Sequence, residues 1–134
     1  MDAEVKPTLV LVVEDDGRSA RKLAQMLRED GYEVEVATDG AAAIGRLSRS
    51  PLPNVLITDL NLPHADGAAV ARYARSLRAD MPVLVVTGYP QLAAKLKETL
   101  SPEPVVFTKP VAYEDLTAAL AALQLAGALV GKRG

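Results

Sequence analysis

The chain has 134 residues, 49% of them hydrophobic and 24% charged, with a formal net charge of −2; that is the size of one globular domain able to bury a real core. A single Phe and no Trp make that core aliphatic, and the absence of Cys excludes a disulfide framework, a thiol nucleophile and a cysteine-based zinc site. The scattered basic residues argue against direct DNA binding. The acids Asp2 and Glu4 ahead of the first apolar run do not form a signal peptide, and the Ala-rich stretch Leu116–Gly131 falls short of a membrane span, so the expectation is a soluble, cytoplasmic protein.

Five short apolar runs follow one another: Leu9–Val13, Val34–Ala37, Val55–Thr58, Val83–Val86 and Val105–Phe107. Several are rich in Val and Ile and lack the polar alternation of a half-exposed strand, which suits a parallel sheet covered on both faces. Helical spacing fills the intervals. Ala20, Leu23, Ala24 and Leu27 form the first helical stripe, stopped by Gly31. Asp39 is placed to cap a second helix carrying Ile44 and Leu47, and Asp66 a third carrying Val70, Ala74 and Leu77, ended by Pro82. Leu92, Leu96 and Leu100 mark a fourth. Leu116, Leu120 and Leu123 mark a fifth, running to about Val130. This (βα)5 order with short connections predicts a doubly wound α/β sheet, in one domain spanning 1–134 with a core of about 8–125.

In such sheets ligands sit beyond the carboxyl ends of the strands. Those ends carry Glu14, Asp15 and Asp16 after the first strand, Asp59 after the third, Thr87 at the fourth, and Lys109-Pro110 after the fifth. Taken singly, each has a bland reading as a turn former, helix cap, strand residue or solvated charge. Together they form a chemistry. Carboxylates crowded into one crevice repel unless a cation neutralises them, and an all-oxygen site suits Mg²⁺ or Mn²⁺. A carboxylate beside that cation can attack phosphorus to form an acyl phosphate. A hydroxyl and an ammonium can then hold the charged phosphoryl oxygens.

The segments Leu-Val-Val-Glu14-Asp15-Asp16, Ile-Thr-Asp59-Leu-Asn61-Leu-Pro63 with Asp66-Gly67, Val-Val-Thr87-Gly88 and Thr-Lys109-Pro110 resemble, in order and spacing, the receiver domains of two-component response regulators. The resemblance covers about Thr8 to Leu125. It implies a flavodoxin-like fold of strand order 2-1-3-4-5, with Asp59 as phosphoacceptor and Thr87 and Lys109 binding phosphoryl oxygens. It also implies Mg²⁺ (or Mn²⁺) held by Asp15, Asp59 and the Asn61 carbonyl, with Glu14 acting through water; Asp16 stays outside the metal set. The implied partners are a sensor histidine kinase or histidine phosphotransfer protein and a downstream protein target, in a signalling switch that catalyses only its own phosphorylation and dephosphorylation.

The pattern also departs from its family. Many receivers carry Tyr or Phe three residues before the Lys, where this chain has Val106; Phe107 is predicted to point the opposite way. Thr87-Gly88-Tyr89 is similar to a subgroup of single-domain receivers, and Tyr89 reads either as a replacement aromatic or as a partly buried loop residue. His64 reads as a solvated turn residue. The extra apolar face of the last helix, with Leu125 and Leu129, reads as a homodimer or partner surface or as a frayed tail. A pseudo-receiver used only for docking is the main alternative, and a haloacid dehalogenase-type phosphohydrolase is disfavoured by Asn61, where an acid is needed. Met1 and the short tail favour a free-standing receiver over one cut from a larger chain.

Overall fold

A computed structural model of the chain describes residues 7–63 and 66–133, with side chains described through residue 125. The elements alternate in chain order: β1 (Leu9–Val13), α1 (Gly17–Glu29), β2 (Glu33–Ala37), α2 (Gly40–Leu47), β3 (Val55–Thr58), α3 (Gly67–Leu77), β4 (Val83–Thr87), α4 (Pro90–Thr99), β5 (Val105–Thr108) and α5 (Tyr113–Arg133). All strand pairings are parallel, in the order β2-β1-β3-β4-β5, as the flavodoxin-like reading expects. Three strands run one residue beyond the apolar runs, taking in Glu33, Thr87 and Thr108.

Successive side chains of a strand point to opposite faces, and the core divides accordingly. Leu11, Val13, Leu56 and Val85 pack with Val70 and Ala74 of α3 and Leu96 of α4. Val10, Val12, Ile57 and Leu84 pack on the other face with Leu27 of α1 and Leu116 and Leu120 of α5. Leu11 is 1% exposed, so cutting such a residue back to Ala would cost about 2–5 kcal/mol through lost transfer energy and the cavity left behind.

Helices α1, α2 and α3 start alike. The carboxylates of Asp16, Asp39 and Asp66 each accept the backbone N–H three residues on, from Ser19, Ala42 and Ala69 at 3.3, 2.7 and 2.7 Å. This satisfies a helix-end donor that would otherwise lack a partner. Helix α4 differs: Tyr89 precedes it with no side-chain cap, and Pro90 opens it. Gly31, at φ 98°, takes the left-handed turn that ends α1 and that a side chain would resist.

Two expected core positions are corrected. Leu77 and Leu92 have helical spacing but stand 43% and 47% exposed, because each lies in a terminal turn of its helix, beyond the part laid on the sheet. Arg46, on α2, is buried. It pairs with Glu35 and donates to the carbonyls of Arg49 and Pro51 at 3.1 and 2.7 Å, tying the loop before β3 to strand β2. Among the described residues no helix is long and apolar enough to cross a membrane. His64 and the side chain of Leu129 lie outside the described residues, while Leu125 is 64% exposed.

Candidate functional site at the carboxyl edge of the sheet

The parallel sheet brings the ends of β1, β3, β4 and β5 to one edge. Asp59 follows β3 directly; its N–H donates to the Val13 carbonyl at 3.0 Å, continuing the ladder between the two central strands by one bond. Its side chain is nearly buried. The Asn61 N–H donates to Asp59 Oδ1 at 3.2 Å, which fixes the carboxylate rotamer from the loop side. The first turn of α3 presses against the same backbone. A Cβ on Gly67 would lie 1.9 Å from the Asp59 carbonyl oxygen, so only glycine lets α3 begin there.

Lys109 closes the site from β5. Its N–H donates to the Thr87 carbonyl at 2.8 Å. Its Nζ reaches Asp59 Oδ2 at 2.8 Å and Glu14 Oε1 at 2.9 Å. Burial pulls this ammonium downward, but the hydrogen bonds and charges of Asp59 and then Glu14 outweigh it and hold its pKa above the ordinary lysine value. The Lys109–Pro110 peptide is cis. Thr87 is fully buried, and its Oγ1 accepts the Tyr89 N–H at 2.9 Å, which leaves the hydroxyl its own proton to donate.

Carboxylate oxygens of Glu14, Asp15 and Asp59 lie within 4.8 Å of one another. This is a hard, all-oxygen donor set of the kind that holds Mg²⁺ through a few carboxylates while the ion keeps waters. Asp16 turns away to cap α1, and its hydrogen bonds with Ser19, side chain first, lower its pKa.

The expected residues Glu14, Asp15, Asp59, Asn61, Thr87 and Lys109 therefore all stand at one edge. Val106 and Phe107 take opposite faces, Val106 toward the α2–α4 core and Phe107 toward the α1–α5 core. Tyr89 is 48% exposed, which favours the loop reading of its side chain. Two features were not foreseen. One is the close approach at Gly67, for which the Asp-Gly pair was the available signal. The other is the bond from Tyr113 Oη to Asp30 Oδ2 at 2.7 Å across 83 residues, for which a sequence offers no local sign. Burial first, and then Asp30, push the Tyr113 phenol well above its ordinary range.

Comparison with known proteins agrees with this fold. A response regulator receiver domain from Methanospirillum hungatei, described as CheY-like, superposes with a TM-score of 0.80 at 26% identity, covering 89% of this chain and 95% of that one. A receiver protein from Sinorhizobium medicae gives 0.80 at 24% identity, over 88% and 94% of the two chains, and speaks for the fold alone. Response regulator MprA of Mycolicibacterium vanbaalenii is 33% identical over 117 residues, which are 87% of this chain and 50% of that protein. The chain thus spans about half the length of such curated relatives. The family described as the response regulator receiver domain matches residues 10–121, and the chain belongs to that family.

Proposed function

We propose that residues 1–134 act as one receiver unit, with a core of about 8–125, in which Asp59 accepts a phosphoryl group from a phosphohistidine of a sensor kinase or phosphotransfer protein. The observation that carries this reading is the double contact of Lys109 with Asp59 and Glu14, beside three clustered carboxylates. An Asp59 carboxylate oxygen forms the new bond to phosphorus while the bond from phosphorus to the donor breaks. Thr87 donates its hydroxyl proton in a hydrogen bond to one phosphoryl oxygen, and Lys109 pairs with another. Asp15, Asp59 and the Asn61 carbonyl would hold Mg²⁺ or Mn²⁺, with Glu14 acting through water. The ion, when bound, would neutralise charge on the incoming group.

The protein is in this reading a cytoplasmic switch rather than a turnover enzyme. It catalyses only its own phosphorylation and the loss of the phosphoryl group, and it passes the signal to a protein target. Intact-mass spectrometry after incubation with acetyl phosphate and Mg²⁺ tests it. The parent gains one phosphoryl group and Asp59→Asn gains none. Undiminished labelling of Asp59→Asn would overturn the assignment.

A further inference from the structure

Behind the phosphoacceptor edge, a cavity of about 460 Å³ opens between α1 and α5. Its floor is core, including Ile57 and Leu116, and its sides include Leu23, Met26 and Val111, which are only half-buried. The groove opens to solvent, and its volume falls within the range of small-molecule sites. Its inner end reaches Asp59, Glu14 and Lys109. There one ammonium, Lys109, bonds two acids, so the inner end carries a net negative charge that keeps an anionic head group to the rim. At the rim, the Ser19 hydroxyl is committed to Asp16 and the Tyr113 hydroxyl to Asp30. Lys22 lines the same cavity, is exposed, and has no ion-pair partner among the described residues. Among the described residues, the uncommitted chemistry is therefore an apolar trough with the Lys22 ammonium at its rim.

We propose that the α1–α5 cavity binds a small amphipathic anion, a medium-chain alkyl carboxylate, with its chain on Leu23, Met26, Ile57 and Leu116 and its carboxylate on Lys22. The occupant lies against the Lys109 end of the cavity and slows phosphoryl uptake at Asp59; this second consequence rests on the phosphoacceptor reading given above.

Titration of the ¹³C-methyl spectrum with octanoate, and separately with octanol, tests the site. Saturable shifts at Leu23, Met26 and Ile57 are expected in the submillimolar range for octanoate. Octanol should bind roughly fivefold more weakly, the size of one exposed charge pair. Lys22→Ala, a surface change that leaves the fold intact, should erase that difference, and Met26→Trp should block both probes by filling the trough. Absent saturation with octanoate, equal binding of octanol, or indifference to Lys22→Ala would each overturn the site. In the presence of octanoate the labelling rate from acetyl phosphate should fall in proportion to occupancy, and an unchanged rate at saturation would overturn the coupling. The methyl shifts do not depend on Asp59 chemistry, so failure of the ligand-free protein to label would overturn the phosphoacceptor reading alone.

Discussion

The two sides of the functional edge are built differently. The acids come from β1 and β3, whose described residues are all buried, and from turns leading into helices that are tied down by Asp16 and Asp66. The hydroxyl and the amine come from β4 and β5. Strand β5 is the partly exposed edge of the sheet, and α4 starts without a side-chain cap and buries only Ala93 and Leu96. The difference separates two jobs. On the proposed function, carboxylates that would hold a cation must keep fixed spacing, whereas groups that would close on an incoming phosphoryl need freedom to shift.

The sharpest way to break this comparison is one methyl group placed on each side. Gly67→Ala drives a Cβ into the Asp59 carbonyl and should cost about 3 kcal/mol or more in urea unfolding. Gly88→Ala meets nothing within 4 Å and should stay within about 0.5 kcal/mol of the parent. Equal stability of the two variants would mean that the fixed side is not fixed.

Asp15→Ala probes the acids directly. It removes one of three mutually close carboxylates, so calorimetric Mg²⁺ binding should vanish. The metal-free variant should be at least as stable as the parent, by up to about 1 kcal/mol, because like charges are separated. Parental Mg²⁺ affinity would remove Asp15 from the ligand set.

Caps sharpen the contrast further. Asp39→Ala deletes the bond to the Ala42 N–H and should cost about 1 kcal/mol, whereas Tyr89→Asp supplies an acceptor that α4 lacks and should gain about 0.5 kcal/mol. If Tyr89→Asp also slows amide exchange through α4, the looseness of that side lies in its missing cap. Unchanged exchange would place it in the packing.

The smallest effect is the alkaline one. The pKa of Lys109 is raised in the folded state, so its contribution is complete below the unfolded value of about 10.4 and is lost as pH rises through the folded value. The stability gap between the parent and Lys109→Met should therefore narrow above about pH 10.4. A gap that widens there would contradict the ion pairs with Asp59 and Glu14.

The features legible in the sequence were the local ones. Runs such as Leu9–Val13 and Val55–Thr58 announce fully buried strands because both faces must be apolar, and Asp39 and Asp66 announce caps because the helical pattern begins right after them. Assigning the strand ends put Glu14, Asp15, Asp59, Thr87 and Lys109 at one edge before any contact was known, with Asp16 among them, and the family resemblance added Asn61. Non-local features were not legible. The burial of Arg46 depends on its pairing with Glu35 of a neighbouring strand, which no local pattern marks. Leu77 and Leu92 have the spacing of core residues, but spacing does not say where a helix overhangs the sheet. The distance from Tyr113 to Asp30 and the groove between α1 and α5 depend on how two helices separated by most of the chain settle against each other.

The two outer strands also answer a hazard common to every open sheet, the recruitment of a foreign strand onto unpaired backbone groups. Strand β2 answers with charge, since Glu33 and Glu35 are exposed along its length and repel a neighbour of similar composition. Strand β5 reads Val-Val-Phe-Thr and has no charge to spend. Its defence is brevity, with Pro104 immediately before it and Pro110 two residues after it, residues that cannot extend a hydrogen-bonded ladder in either direction. Replacing those prolines would lengthen an apolar, uncharged edge and make it a template for aggregation.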